Sequence, residues 1–303
     1  MIYDLIIVGG GPAGLTAALY ARRNGKTALV LEKSSFGGQI THSPRVENYP
    51  GTLQMAGSEF ADRLLEQVLA QGAEIELEKA VSVEDRGQTR AVRTEEGSVF
   101  EGRTVVLATG VEHRMLGLSG EQELVGEGVS FCAVCDGDFY AGRQVCVAGG
   151  GNSALQEALL LSEKCAGVTI LQDLPRCTGE QRLQDILFRK GNVRLLTGVT
   201  VTALRQEGGA LTGVTVSKDG SEQVIPCDGL FVAIGLIPKN QPFANVADLN
   251  DWGYFASDER CLTRTPGVFA AGDCRAKGVR QLATAIADGA TAALAACRFV
   301  DEQ

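Results

Sequence analysis

Two glycine turns in this chain share one register. Gly9-Gly-Gly11-Pro-Ala-Gly14 follows an apolar run at residues 5–8, and Gly149-Gly-Gly151 follows another at 145–148. Behind each turn, small and apolar side chains recur at helical spacing, and a second apolar run ends at Glu32 in the first copy and at Gln172 in the second. Placing Gly149 on Gly9 sets Gln172 on Glu32, each 23 residues beyond its glycine. Agreement in composition and register marks an internal duplication of a strand–turn–helix–strand unit. Such a unit leaves few folds open, because parallel strands need crossover helices that cover a sheet. The expectation is an α/β protein with two Rossmann-like, three-layer domains.

The turn itself predicts a ligand. Gly9 permits the tight bend, Gly11 lets a pyrophosphate approach backbone N–H groups, and Gly14 lets the helix pack on the strand. The phosphates then meet a helix N-terminus, where the unpaired N–H groups and the dipole favour negative charge. Glu32, at the end of the second strand, is placed to accept ribose hydroxyls of an adenosine. The first turn is therefore read as a dinucleotide site.

Length agrees with two domains, since 303 residues exceed one ordinary small domain. With 45% apolar and 21% charged residues the chain can fill two cores. A strand is expected at Gly267-Val-Phe-Ala-Ala-Gly-Asp273, followed by a small-residue helix from about 281 to 299. That strand needs an existing sheet beside it, so this last segment is assigned to the first domain. The first domain then comprises 1–112 and 243–303, and the second is an insertion at 113–242.

A net charge of −9 argues against a general role on nucleic acid or an anionic membrane surface. No metal site is expected either. Only two histidines, His42 and His113, are present, and the pair Cys132-Ala-Val-Cys135 has no second CxxC to complete a zinc set. The other seven of the nine cysteines stand apart among small or apolar neighbours and read as reduced, buried thiols. The chain opens directly on a strand with no basic leader, and no apolar run is expected to be long enough for a bilayer, so a cytoplasmic protein is expected. A basic stretch runs from Arg176 to Arg194 and reads as a solvated face or a dock for an acidic protein.

The CxxC lies just ahead of the second glycine turn. Two intervening residues let the sulfurs reach bonding distance, so the pair reads as a redox dithiol fed from a bound cofactor. Asp136, which follows directly, is placed either to move a proton when a thiolate leaves or to cap a helix.

At this point the residues resemble a family. Gly9-Gly-Gly-Pro-Ala-Gly14, Gly37-Gly-Gln-Ile40, Glu47-Asn-Tyr-Pro-Gly51, Ala108-Thr-Gly110, Cys132-Ala-Val-Cys-Asp-Gly137, Gly149-Gly-Gly-Asn-Ser-Ala154, Ala233-Ile-Gly235, Gly272-Asp273 and Arg280-Gln281 occur in that order. Together they look like the motif set of low-molecular-weight bacterial thioredoxin reductases. The resemblance implies a homodimeric FAD protein whose inserted domain carries the disulfide and exchanges it with a thioredoxin-like partner. It also implies Cys132 and Cys135 as the redox pair, with Asp136 as proton donor. Implied FAD contacts are Gly9, Gly11, Pro12, Ala13, Gly14, Glu32, Lys33, Gly38, Gln39, Asn48, Ala108, Thr109, Gly110, Gly272, Asp273, Arg280, Gln281 and Leu282.

One departure concerns the electron donor. Where that family's NADPH enzymes carry His-Arg-Arg and a later Arg around the 2′-phosphate, this chain has Gln172-Asp173-Leu174 and then Thr178. Losing two charge-assisted hydrogen bonds of about 1.5–3 kcal/mol each weakens NADPH by roughly a hundredfold or more. The favoured expectation is therefore a ferredoxin donor, as in a ferredoxin-linked branch that resembles this pattern. NADH is the alternative, with Gln172 or Asp173 on a free ribose 2′-hydroxyl. Two further readings stay open: a small-molecule dithiol oxidase using O₂, and a flavin-binding sensor without turnover.

Overall fold

Strand β1 (Ile2–Val8) alternates its side chains between two cores, and this alternation organises the first half of the molecule. The computed structural model describes residues 1–43 and 46–303. Leu5 and Ile7 face a core shared with helices α1 (Pro12–Arg23) and α2 (Gly57–Ala70), whereas Ile6 and Val8 face the opposite one. Pro12 suits the first helical position because it has no N–H to leave unpaired, and the chain leaves α1 through Asn24 and Gly25, whose φ is 73°. Strand β2 (Ala28–Leu31) returns parallel to β1, and the short β3 (Glu74–Glu76) adds outside it.

β4 (Ala80–Asp85), β5 (Arg90–Thr94) and β6 (Val99–Leu107) form an antiparallel meander on the other side of β1. β6 does two jobs: residues 99–102 pair antiparallel with β5, and residues 101–107 run parallel beside β1. After β7 (Glu112–His113) the chain enters the second unit, at residue 113.

That unit begins with β8 (Val129–Ser130) and the four-residue helix α3 (Ala133–Asp136). The duplicated unit follows as β9 (Gln144–Ala148), α4 (Asn152–Ser162) and β10 (Gly167–Gln172). Next come α5 (Gln181–Leu187), β11 (Val193–Thr197), the antiparallel sheet β12 (Thr200–Glu207), β13 (Ala210–Lys218) and β14 (Ser221–Pro226), and then β15 (Gly229–Val232). The parallel sheet has the order β11-β10-β9-β15-β8. Val145 and Val147 face α4, while Cys146 and Ala148 face the three-stranded sheet, giving three layers.

β16 (Leu236–Ile237) lies where the chain returns, so the first unit resumes at 237, earlier than the expected 243. Asn240 anchors this stretch: its buried amide donates to the carbonyls of Gly253 and Cys274, and its Oδ1 accepts from Thr109 Oγ1 at 2.7 Å. Strand β17 (Val268–Ala270) then pairs parallel with β6. The first unit closes with α6 (Leu282–Asp301).

α6 corrects one expectation. Among the described residues it is long and apolar enough, by length and composition, to cross a membrane. Its inner face, however, is built of Ala285, Gly289, Ala292, Ala293 and Ala296, buried in the core that also holds α1. A Cβ on Gly289 would stand 2.2 Å from the Ala13 carbonyl oxygen, so the two helices approach at backbone distance. This helix–helix contact accounts for the small residues of the inner face.

Candidate active site

In the first unit the glycine turn is fixed by backbone geometry. Gly9 has φ 112°, and a Cβ there would lie 2.3 Å from the Ala108 carbonyl oxygen. A Cβ on Gly14 would meet the Gly9 carbonyl oxygen at 1.9 Å. Both positions exclude any side chain, as the fingerprint requires. Gly11, by contrast, faces open space bounded by Gly38, whose Cα is 3.9 Å from a Cβ built on Gly11. It is also the N-cap of α1 and supplies no side-chain cap, so the first-turn N–H groups face this opening. The result is a cradle that a side chain would fill and a pyrophosphate fits.

Glu32 lies buried under the turn. Its Oε2 accepts the Gly10 N–H at 2.7 Å and its Oε1 accepts the Ser34 N–H at 3.1 Å. Lys33 is turned to solvent and pairs with Glu112 at 2.6 Å. Gly37 N–H donates to Gly10 O at 2.8 Å, which brings Gly38 over the turn, while Gln39 is exposed on the following 3₁₀ turn. Asn48 is also exposed and falls with the second unit, unlike the other residues of the expected cofactor set.

The C-terminal segment completes this side of the first unit. Gly272 follows β17 with φ 83°, and its N–H donates to Asp288 Oδ2 at 3.1 Å. Burial pushes the Asp273 carboxyl up, against the pull of Lys277 at 3.1 Å. Arg280 stacks on Tyr254 at 4.1 Å and donates to the Asp273 carbonyl. Gln281 forms a capping box with Thr284 at the start of α6, directly before Leu282.

In the second unit Cys132 and Cys135 form a disulfide with Cα atoms 5.3 Å apart. Cys132 is the N-cap of α3, and its carbonyl accepts the Cys135 and Asp136 N–H groups. Asp136 ends this helix and caps nothing with its side chain. Its Oδ2 accepts from Ser130 Oγ at 2.6 Å, and Ser130 Oγ accepts the Cys132 N–H at 3.1 Å. The Asp136 Oδ1 atom is buried without a hydrogen-bond partner among the described residues. Burial raises the Asp136 pKa, with the Ser130 bond opposing it. A carboxyl so placed stays protonated to higher pH than usual and can serve a departing thiolate.

Sequence reading missed Glu157. It reaches from α4 to accept the N–H of Ala133, between the two cysteines, and burial raises its pKa to about 7. The signal was present: Ala154, Ala158 and Leu161 are buried on α4, and residue 157 falls on that same stripe. Cys146 and Cys227, read as isolated thiols, also meet. Their hydrogen bond, then burial, pushes the Cys146 thiol well up, and both remain free thiols.

The second glycine turn repeats the first in backbone form. Gly149 has φ 123°, and a Cβ there would lie 2.5 Å from the Ala233 carbonyl oxygen. The Gln172 amide donates to the Arg176 carbonyl at 3.2 Å, and Thr178 and Gly179 N–H groups return to Gly150 O. Asp173, Arg176 and Thr178 are all exposed around this loop.

A dinucleotide cradle in one unit and a reversible disulfide in a duplicated unit define a two-domain flavoprotein disulfide oxidoreductase, with FAD as its cofactor. The family model described as pyridine nucleotide-disulphide oxidoreductase matches residues 3–289. Thioredoxin reductase of Listeria monocytogenes is 41% identical over 303 residues, covering 99% of this chain and 95% of that protein. Thioredoxin reductase of Bacillus subtilis is 38% identical over 304 residues, covering 99% and 96%. The crystal structure of thioredoxin reductase from Streptococcus pyogenes superposes with a TM-score of 0.94 at 32% identity, covering 100% of this chain and 99% of that one. The chain therefore belongs to the pyridine nucleotide-disulphide oxidoreductases, within the low-molecular-weight bacterial thioredoxin reductase group.

This overturns the expected ferredoxin donor. The relatives are thioredoxin reductases matched along essentially the whole chain, and the family is defined by pyridine nucleotides. Missing 2′-phosphate ligands argue only against NADPH, and the step from there to a protein donor does not follow.

Proposed function

We propose that this enzyme is an NADH-preferring reductase that delivers electrons to the Cys132–Cys135 disulfide and from there to a thioredoxin-like protein. The observation that carries the reading is the disulfide on α3 beside the buried Asp136 carboxyl, in a chain with an open Gly11–Gly38 cradle. When bound, FAD would supply the two-electron chemistry that links the nucleotide to the disulfide. Gly9, Gly11, Pro12, Ala13 and Gly14 would hold its pyrophosphate, and Glu32 with neighbouring Lys33 its adenosine. Gly38, Gln39, Ala108, Thr109, Gly110, Gly272, Asp273, Arg280, Gln281 and Leu282 would line the remainder, with Asn48 assigned to the set from its motif alone. Asp136 would protonate the first thiolate released.

The NADH preference rests on the second turn. At the position that answers Glu32 stands an uncharged Gln172, with the exposed carboxylate of Asp173 next to it and Thr178 at the returning loop. A carboxylate there suits a free 2′-hydroxyl and repels a 2′-phosphate. The seven other cysteines, all free and buried, support a reducing compartment and so a cytoplasmic enzyme. Anaerobic mixing with NADH or NADPH, followed by flavin bleaching, tests the donor. Faster bleaching by NADPH than by NADH would overturn the preference, and failure of the reduced enzyme to reduce any thioredoxin would overturn the substrate class.

A further inference from the structure

We propose that Glu157 is the positioning residue that sets the proton balance of the Cys132–Cys135 dithiol, binding a proton when the disulfide is reduced. The inference rests on the redox reading of that cysteine pair. Three observations carry it. First, the Glu157 carboxylate accepts the Ala133 N–H, a backbone donor inside the CxxC, so its charge sits on the four-residue helix that holds both sulfurs. Second, Asp136 acts on Glu157 electrostatically from the other end of that helix, with one oxygen buried and unpartnered among the described residues. Third, the fold does not need an acid here. In the duplicated register residue 157 answers to Ala17, which is fully buried in α1.

The electron count explains why a second acid matters. Two electrons, supplied through the established flavin chemistry, break the sulfur–sulfur bond and leave two thiolates. One takes a proton and becomes a thiol. The other, left as a thiolate beside ionised Glu157 and Asp136, would crowd three anions around α3, where each raises the proton affinity of the others. A proton taken from solvent by Glu157 removes one of these charges. Glu157 already titrates at about 7 with the disulfide intact, held up by burial and by Asp136, with the Ala133 N–H opposing. A new thiolate nearby moves it higher. Asp136 is the charged group that acts on it. Tyr140 also feels Asp136, and α5, packed on α4, carries Arg182 and Asp185, neither of which shifts Glu157.

The test is the equilibrium constant for reduction of the Cys132–Cys135 disulfide in the FAD-loaded enzyme, read by alkylation trapping in dithiothreitol redox buffers across pH. Glu157→Gln keeps an oxygen to accept the Ala133 N–H but cannot titrate, and Glu157→Asp keeps the titration. The ratio of the wild-type constant to that of Glu157→Gln is expected to be level below pH 7, to fall by up to about tenfold per pH unit from there to the higher pKa of Glu157 in the reduced protein, and to level off again above it. Glu157→Asp should restore a pH-dependent ratio. A ratio constant with pH, with flavin spectra unchanged, overturns the role of Glu157. A pair that never equilibrates with the buffers in any variant overturns the dithiol reading instead.

Discussion

The two glycine turns are the same backbone put to different chemical use. At the first, three glycines are needed because Gly14 would drive a Cβ into the Gly9 carbonyl; at the second, Ala154 occupies the equivalent position, fully buried. The first turn has a carboxylate beneath it, with Glu32 taking the Gly10 N–H, whereas the second has the neutral Gln172, whose amide is spent on Arg176. Asn152 replaces Pro12 at the helix start and exchanges hydrogen bonds with Glu180, one of them at 2.7 Å. A duplicated fold thus preserves the strand–helix geometry while the side chains at its mouth change. The lesson is that a fingerprint identifies a scaffold, and ligand charge is decided a few residues away.

That division of labour can be broken most severely at the dithiol. Cys135→Ser is expected to abolish reduction of a thioredoxin while leaving flavin uptake intact, measured by turnover and by the visible spectrum of the purified protein. Next in size is Gly14→Ala, which forces a methyl group against backbone and should cost roughly 3 kcal/mol, with flavin lost. Thermal unfolding and cofactor content report it. Asp173→Arg combined with Thr178→Arg should sharpen the contrast by moving the NADPH-to-NADH ratio of kcat/KM about a hundredfold toward NADPH, or about 2.7 kcal/mol. The mildest change is Ala154→Gly. It should cost only about 1 kcal/mol, the ordinary penalty of a glycine in a helix, and leave flavin content untouched. Equal losses from Gly14→Ala and Ala154→Gly would show that the two turns are packed alike after all.

Much of the fold was legible because its signals are local. The strands flanking each turn, the helices behind them and the CxxC all depend on neighbours close in sequence. Element ends shifted by a residue or two, as for α6, expected over about 281–299 and found at Leu282–Asp301, since fraying and caps set the last turn. The return of the chain at Ile237 was not legible, because it depends on the Asn240 amide finding carbonyls at Gly253 and Cys274. Nor was the character of α6. Its small residues meet the criteria for a bilayer helix, and only α1 packed against them shows what the helix buries.

By itself, the sequence determined the duplicated βαβ architecture and the pairing of a flavin fingerprint with a dithiol. Spacing suffices for these, since glycine conformation and side-chain period are properties of the local chain. Tertiary structure alone decided which carboxyls surround the dithiol. Glu157 reaches Ala133 across 24 residues, and Ser130 meets Asp136 only once α3 turns the chain back. Periodicity sets residue 157 on the buried stripe of α4 but does not name its partner, because the packing of α4 on α3 brings together groups that no spacing rule relates.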